Sequence, residues 1–544
     1  MSEEKKEEKM DRRKYIKYVG AGAVVAAAAA AIGYGVSELT KPPPPKPTTV
    51  APPPTTVVTT VPVTVTPTTP PPPPKAYQLI KWNEPMPAAQ RLTAPIKVGP
   101  IPKEWIEKYP YLLTYFPKGE AALEGYVLPE GWKEAVKGVE ELVVTNDGAL
   151  KYDPATVLNG LLFEKLTGIK VKWIEIPSPD MHLPKAAAIG TSRSKDIHVL
   201  YLNWPLEVLQ VTSAGWAHPV DELWPPEVQK LYNPYLVEML KGLDGKFYGI
   251  PFIVVPYLIY YRKSWLKGAG FTHPPESWEE YSVMVREVNK WAKEKLGPDY
   301  YGDGFPGADA THVLICISFG VYAQGGRLVK DGRFLIDSPE GRKSWEHWVS
   351  LFRDGVIPSA ALGWTIWDHW ATFAAGKLGF SFAVPSYTRV WADKEKYPTI
   401  YNDFDAIPIL PWKKGGPLGS THNSTDGLFI NAFIDDNYKA AAMLYLDFMR
   451  SYQALFNEVV VEGNDSSMPA VYDHPYVKEI EPYYAVKKAN TEAGVVEKFP
   501  PGFGIACDII KDYFHKAALG KMDPLEALKE CQKKIDVALG VKPP

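Results

Sequence analysis

The stretch that decides the fold of this chain is DGKFYGIPF at residues 244–252, which is followed by an apolar run and then by RKSWLKGAGFTHPPESWEE at residues 262–280. Asp244 and Gly245 are a pair that favours a tight hairpin turn. Val254 to Tyr261 is almost wholly apolar, which predicts one strand buried on both faces of a sheet. A glycine and a proline break the pattern just before this run. The order of these parts predicts that the chain leaves one packed unit here and enters another.

Two helices are predicted directly after the apolar run. Gly268 and Gly270 end a short helix, and Ser277 begins a longer one with Glu280 placed to form a capping box. The apolar spacing of the longer helix predicts one buried stripe. Its members are Trp278, Tyr281, Met284, Val285, Val288 and Trp291.

Residues 244–280 resemble the extracellular solute-binding proteins of ABC importers, in the family-1 group that includes maltose-binding protein. In that family a D-G-K-x-Y-G-I-P turn leads from the first lobe to the second. A Y-x-K-x-x-L-x-x-A-G-x-x-x-P-x-[ST]-W-E-E element follows, and Tyr261–Glu280 is similar to it, with Arg262 where an Asn is usual. The resemblance extends to the C-terminus through three further segments, FEKLTGIKV at 163–171, FAAGKLGFSFAVP at 373–385 and EALKECQ at 526–532.

This resemblance implies an α/β fold, two-lobed and periplasmic-binding-protein-like (type II), with hinge crossings between the lobes. From Glu141 onward the sequence itself alternates between strand and helix patterns, which is typical of an α/β unit with a parallel sheet. The predicted strands are 142–145, 169–176 and 196–202, and the predicted helix is 157–167, closed by Gly168. Lobe 1 is predicted to comprise 141–252 plus 427–470, and lobe 2 to comprise 253–426 plus 471–544.

The N-terminal region is predicted to lie outside this fold. Residues 1–17 are highly charged, whereas residues 18–36 carry no charge. The Arg12-Arg13 pair that precedes the uncharged segment looks like a twin-arginine export signal. We interpret 1–17 as cytoplasmic and 18–36 as a signal or membrane anchor, with an ordinary signal anchor as the alternative. Residues 37–75 are a Pro/Thr-rich disordered linker, and 76–140 are an N-terminal extension packed on the main domain.

A long spacer is useful only if its near end is held, so we favour an uncleaved anchor. The predicted location is the extracellular face of the cell membrane, or the secreted state if the signal is cleaved. Two sequons, at Asn423 and Asn464, could carry glycans there, although we expect Asn423 to be bare because it lies close to the predicted cleft.

Composition excludes several classes of partner. The net charge of -3 arises from 60 basic and 63 acidic residues, which argues against nucleic acid as a partner. The three cysteines lack C-x-x-C spacing, so we predict no metal and no cofactor. Cys316 is expected to be a buried apolar residue, and Cys507 and Cys531 could pair.

Ligands of open parallel sheets bind beyond the carboxyl ends of the strands, which in a two-lobed protein face each other across a cleft. Aromatic faces pack on the C–H side of a sugar ring, and amides or carboxylates meet its hydroxyls. Ser386 stands where the resemblance implies a pocket Trp, with Tyr387 beside it. Trp364, Trp367 and Trp370 are instead expected to mark one buried helix face. The predicted ligand-binding residues are Asn146, Asp147, Asn203, Trp204, Val255, Tyr257, Ser386, Tyr387, Asp426 and Phe503.

The resemblance implies a tethered receptor that is not an enzyme. It would capture a small solute, a sugar or oligosaccharide, and deliver it to an ABC permease in the membrane. Two alternatives stay open. One is an exported glycoside-acting enzyme, which would need a pair of carboxylates that no motif identifies. The other is a structural surface protein that uses a binding-protein scaffold.

Overall fold

The computed structural model describes residues 74–176, 181–202, 207–419, 425–495, 497–500 and 502–541. The charged N-terminus, the anchor segment and nearly all of the linker predicted above therefore lie outside the described residues. Within the ranges just given, no helix is both long and apolar enough to cross a bilayer.

The extension that precedes the first large sheet consists of short elements. Helices and strands are numbered here in chain order. They are α1 (Ala88–Leu92), β1 (Lys97–Pro100), α2 (Lys103–Lys108), β2 (Glu120–Glu124) and α3 (Trp132–Ala135), with β1 and β2 paired antiparallel. Tyr77, Leu112 and Tyr126 from this region are buried in the same hydrophobic core as the first large sheet. The extension is thus packed into that core.

A five-stranded sheet organises the first lobe. Its strands are β3 (Glu141–Asp147), β4 (Lys170–Ile176), β5 (Val199–Leu202), β6 (Gly249–Val254) and β12 (Thr425–Ile430), in the order β4-β3-β5-β12-β6. β3 is parallel to β4 and β5, whereas β12 is antiparallel to β5 and β6. The helices between them are α4 (Pro154–Thr167), α5 (His182–Ser192), α6 (Val208–Ser213), α7 (Pro226–Gln229) and α8 (Pro234–Met239).

Local sequence signals account for the first of these helices. Pro154 occupies the first turn of α4, where its missing N–H costs no hydrogen bond. Gly168 ends the helix in the left-handed conformation at φ 78°, and its N–H donates to the Glu164 carbonyl at 2.8 Å. A residue with a Cβ would be strained at this φ.

A three-stranded sheet organises the second lobe. It contains β7 (Leu258–Arg262), β10 (Phe380–Ala383) and β11 (Phe404–Pro408), with β7 in the centre and both pairings antiparallel. A small hairpin is formed by β8 (Val329–Lys330) and β9 (Arg333–Phe334). The helices of this part are α9 (Lys263–Gly268), α10 (Trp278–Lys295), α11 (Ala310–Ala323), α12 (Pro339–Arg353), α13 (Ile366–Ala374) and α14 (Tyr387–Val390).

The chain then returns to the first lobe and crosses once more. β12 is followed by α15 (Asp436–Met449), α16 (Tyr452–Asn457), a π-helical turn (Glu458–Glu462), α17 (Pro475–Ile480), α18 (Tyr484–Glu492), α19 (Phe503–Ala518) and α20 (Pro524–Ala538). Val459 and Tyr472 belong to the first core, while Phe514 and Leu528 belong to the second. Two large cores, each around its own sheet, make the molecule two-lobed.

The prediction of a single strand over 254–261 is wrong. β6 ends at Val254 in the first sheet, and β7 begins at Leu258 in the second. Residues 255–257 between them cross from one lobe to the other. A run that is apolar on both faces carries no periodicity, so it does not reveal where one buried strand ends and the next begins.

Two other predictions about packing are corrected. Trp367 is 52% exposed and Trp364 precedes α13, so these residues and Trp370 do not share one buried face. Cys507 and Cys531 are buried free thiols, as is Cys316. By contrast, the Ser277 side chain accepts a hydrogen bond from the Glu280 N–H at 3.2 Å, as its N-cap pattern predicts.

Candidate ligand-binding cleft

The carboxyl end of β3 carries two of the predicted ligand-binding residues, Asn146 and Asp147. The Asp147 Oδ1 lies 3.2 Å from His182 Nε2, and the other ring nitrogen of His182 lies 2.8 Å from the Tyr201 carbonyl oxygen. The Asp147 side chain is 26% exposed, so it remains accessible to a ligand. The Asn146 amide is buried and donates to Asp153 Oδ2 at 2.6 Å. Asn203 and Trp204, which were predicted here, lie outside the described residues.

Asp426 lies on the neighbouring strand β12 and is almost completely buried. The Tyr201 hydroxyl donates to its Oδ2 at 2.5 Å. Burial raises the pKa of Asp426 well above its ordinary value, this hydrogen bond opposes the rise, and the charges of Asp147 and Asp153 add to it. A carboxyl group that keeps its proton can donate a hydrogen bond as well as accept one.

Tyr257 supplies the facing polar group in the second lobe. Its hydroxyl lies 3.1 Å from His312 Nε2, and His312 Nδ1 lies 3.6 Å from Asp309. Burial raises the pKa of Tyr257, and the charges of Asp426, Asp309 and Asp147 raise it further. The structure thus places a buried Tyr257–His312 pair at the start of the second lobe, and its contact with a ligand stays a prediction.

A group of four tyrosines borders the same region, and we call Tyr115, Tyr152, Tyr387 and Tyr397 the tyrosine cluster. The Tyr387 ring centroid lies 4.5 Å from Trp370 and 4.8 Å from Trp391. Burial raises the pKa of Tyr387, and the charges of Tyr115, Tyr397 and Tyr152 raise it further. The cluster thus joins the extension, the first lobe and the second lobe. Ser386 precedes Tyr387 and is mostly buried.

Val255 and Phe503 have packing roles in the structure. Val255 belongs to the core of the first lobe. Phe503 is the first residue of α19 and is buried. Its ring centroid lies 4.8 Å from Phe499 in the core of the second lobe. Their contact with a ligand stays a prediction.

Sequence reasoning missed several residues that border the cleft, namely Tyr115, Tyr152, His182, Tyr201 and His312. Tyr201 could have been predicted, because it lies in the strand that directly precedes the predicted residues Asn203 and Trp204. His182 and His312 lie on helices, where nothing in the local pattern marks them. Tyr115 lies in the extension, beyond the segments that carried the resemblance.

Buried acids lie behind the first wall of the cleft. Burial raises the pKa of Glu458 to about 8, and hydrogen bonds from Asn464 and Asn159 oppose the rise. Asn464 Nδ2 donates to Glu458 Oε2 at 3.1 Å and to Glu462 Oε1 at 3.0 Å. The predicted glycan at Asn464 is therefore wrong for the folded chain, because that amide is 2% exposed and already bonded. Asn423 lies outside the described residues.

We expect the free energy of unfolding to fall as the pH rises from about 5 to about 8.5. The pKa of Glu458 is raised on folding, so its neutral form is favoured in the folded state and folding loses stability as the pH rises through about 8. Glu458→Gln should flatten this pH dependence by a few kcal/mol, since each unit by which folding raises the pKa corresponds to about 1.4 kcal/mol. Urea unfolding at both pH values measures it, with the exposed Glu107→Gln as the control. An unchanged slope in Glu458→Gln would contradict the assignment.

No group of three or more metal-ligating side chains capable of holding an ion occurs among the residues that the structure describes. The predicted site offers hydrogen bonding and aromatic packing through carboxyl groups, a tyrosine–histidine pair and partly exposed tyrosine rings. Such a mixture suits a neutral, hydroxyl-rich solute.

The family model for the bacterial extracellular solute-binding protein matches residues 132–455, which is more than half of the chain. The chain belongs to the bacterial extracellular solute-binding protein family. A relative from Brucella abortus (strain 2308), described as a binding protein, is 24% identical over 382 residues, which cover 68% of this chain and 86% of the relative.

Solved structures of similar fold support the two-lobed architecture. The maltose-bound MalE3 of T. maritima is 21% identical with a TM-score of 0.63, and the match covers 73% of this chain and 99% of that one. A solute-binding protein from Agrobacterium radiobacter K84, solved in complex with ribitol, is 18% identical with a TM-score of 0.63, covering 74% of this chain and 99% of that one. The solute-binding family match begins at residue 132, so most of the extension precedes it.

Proposed function

We propose that this protein captures a sugar, an oligosaccharide or a related polyol between its lobes and delivers it to an ABC permease. The observation that carries the proposal is the family match over residues 132–455, and Asp147 and Asp426 in the first lobe and Tyr257 in the second are the polar groups that we expect to meet the solute. Closure of the lobes around a solute would bring both sets of groups onto its hydroxyls.

The mixture of groups favours a polyhydroxylated ligand over a charged one. Asp426 is held near-neutral by burial, and the Tyr257–His312 pair can donate or accept according to the proton position. The tyrosine cluster offers ring faces to the apolar side of a sugar. Two structural neighbours were solved with a sugar or a sugar alcohol, maltose and ribitol, which supports this solute class.

Isothermal titration calorimetry against maltose, maltotriose, tagatose, ribitol and mannitol tests the proposal. We expect binding of at least one, and Asp147→Ala should weaken that binding by about tenfold or more, because a carboxylate that accepts a hydroxyl hydrogen bond is lost. The exposed Asp512→Ala, whose side chain pairs with Lys516 on the surface of α19, is the matched control. Binding of a peptide or a metal ion with no binding of any sugar or polyol would reject the solute class.

The alternative of a glycoside-acting enzyme is favoured by one feature. Asp426 has a raised pKa beside the carboxylate of Asp147, a combination that can serve as an acid and a base. Turnover of a chromogenic glycoside that disappears in Asp426→Asn would support the enzyme. Binding without turnover would support the receptor.

We further propose that residues 18–36 tether the protein to the outer face of the cell membrane and that residues 37–75 act as a spacer. The absence of charge in the first segment and the Pro/Thr composition of the second support this reading. Mass spectrometry of the mature N-terminus tests it, since a start beyond Val36 would mean that the tether is removed.

A further inference from the structure

The loop between α2 and β2 of the extension is held firmly to the first lobe at its base. Leu112 is fully buried in the core of the first lobe. Gly119, with φ 64°, turns the chain back: its N–H donates to the Phe116 carbonyl at 3.0 Å, and its carbonyl accepts from the Ile101 N–H at 2.8 Å. The base of the loop is therefore held in place by burial and hydrogen bonds, and residues 114–118 form the tip of the loop.

Polar contacts from the first lobe reinforce the base of this loop. Glu120 accepts a hydrogen bond from the Tyr476 hydroxyl and pairs with Lys118 at 2.8 Å. The Ala122 N–H donates to Asn457 Oδ1 at 2.8 Å, and the Asn457 amide donates back to the Ala122 carbonyl at 3.1 Å. The extension is therefore hydrogen-bonded into the first lobe.

The tip of the loop reaches the second lobe. The Arg389 guanidinium carbon lies 5.5 Å from the centroid of the Phe116 ring, and Arg389 belongs to α14. Tyr115 is adjacent to Phe116, and Tyr387 stands at the start of the same helix as Arg389. Tyr115 is only partly buried, so part of its ring stays available.

The electrostatic neighbours of Tyr115 agree with this placement. Burial raises the pKa of its hydroxyl, and the charges of Glu462 and Asp153 in the first lobe and of Tyr397 in the second raise it further. Asp153 is also among the charges that raise the pKa of Asp426. These charges come from both lobes, in agreement with the contact that the neighbouring Phe116 makes with Arg389 of the second lobe.

We propose that Tyr115 is a ligand-contact residue, through which the N-terminal extension completes the wall of the cleft and presents a ring face to a sugar ring. This inference rests on the proposed binding of a sugar or polyol. It assigns to a segment that mostly precedes the solute-binding family match a direct part in affinity and selectivity. The ring supplies apolar contact, while the cleft carboxylates and Tyr257 meet hydroxyls.

Calorimetry on the full-length protein tests the inference, with maltose and maltotriose as probes. Tyr115→Ala should weaken binding by about tenfold, and Tyr115→Phe should keep most of the affinity, because the ring face survives. Tyr109→Ala is the control, since its ring contacts Tyr111 within the same extension. Thermal unfolding of each variant shows whether the fold is retained.

The outcomes separate the two proposals. If the wild type binds a probe and Tyr115→Ala binds it equally well, the inference is overturned while the proposed function stands. If the wild type binds none of the sugars and polyols, both the inference about Tyr115 and the proposed function are rejected. If Tyr109→Ala weakens binding as much as Tyr115→Ala, the extension acts only through its packing, and a direct contact by Tyr115 is rejected.

Discussion

Asp447→Asn should lower the free energy of unfolding by about 3–5 kcal/mol, because it leaves two buried guanidinium groups without their shared counter-charge. Asp447 Oδ2 accepts from Arg91 Nη1 at 3.0 Å, and Oδ1 accepts from Arg450 Nη2 at 2.7 Å. The Tyr126 hydroxyl donates to Oδ2 at 2.6 Å. All three charged side chains are 1% exposed or less.

The pH dependence of this triad has a definite sign. Burial acts to raise the pKa of Asp447, but Arg91 and Arg450 outweigh it and the net pKa is lowered. A carboxyl whose pKa is lowered on folding stabilises the protein above its unfolded pKa of about 3.9, and this stability is lost as the pH falls toward the folded pKa. The stability of Asp447→Asn should therefore depend less on pH below about 4 than that of the wild type.

Urea unfolding at neutral pH measures the effect. The control is Asp435→Asn, since Asp435 pairs with Lys195 on the surface with both side chains more than half exposed, and such pairs contribute about 0.5 kcal/mol or less. Arg91 lies in the extension and Asp447 in α15, so limited proteolysis should also show earlier cleavage within 76–140 in the variant. A decrease in the free energy of unfolding of less than about 1 kcal/mol would contradict the interpretation that Asp447, Arg91 and Arg450 form a buried charge cluster without access to water.

Glu481→Gln is expected to destabilise the junction between the lobes by about 3 kcal/mol. Glu481 is fully buried, and its Oε2 lies 2.9 Å from Lys487 Nζ and 3.2 Å from Arg389 Nη2. Burial acts to raise the pKa of Glu481, but the two cations lower it overall. The neutral amide would leave both cations buried without an anion.

The position of this group makes the variant informative about function. Arg389 also donates to the Val460 carbonyl, and Lys487 Nζ donates to the Gly463 carbonyl at 2.8 Å. Nearby, the Asp465 N–H donates to the Val254 carbonyl at 3.0 Å, and Asn490 Nδ2 donates to the Tyr257 carbonyl at 2.9 Å. These bonds hold the first crossing at both of its ends, and Glu481 pairs with Lys487 on α18, the helix that also carries Asn490.

Chemical denaturation and small-angle scattering measure the two consequences, lost stability and a broader distribution of lobe separations. Glu479→Gln on the neighbouring helix α17 is exposed and serves as the control. Unchanged stability in Glu481→Gln would mean that Arg389 and Lys487 find other partners, and the hinge assignment of this ion cluster would then be wrong.

Short-range patterns predicted much of the first lobe. The order of strand, helix and strand in the β3–α4–β4 unit was predicted, and so was the end of α4 at Gly168, whereas α4 begins at Pro154, three residues before the predicted start. Each boundary depends on contacts within a few residues, which the sequence displays directly. The Ser277 cap of α10 is of the same kind.

The cleft was only partly predictable. Asp147, Asp426, Tyr257 and Tyr387 were chosen because the ends of strands and the lobe crossings were expected at the cleft edge, and their contact with a ligand stays a prediction. Tyr115 could not be chosen in this way. Its place depends on a loop from the extension that packs on the first lobe and meets Arg389 of the second, a relation between residues far apart in the chain.

By itself, the sequence determined the family, the alternation of strand and helix in the first lobe, and the segment where the chain crosses between the lobes, because motifs, caps and turns are local. Only the tertiary structure decided where the apolar run divides between two sheets, which acids share the buried ion clusters, and that the loop of the extension contacts Arg389 of the second lobe. Those features follow from burial and from charges brought together across hundreds of residues, and no local pattern records them.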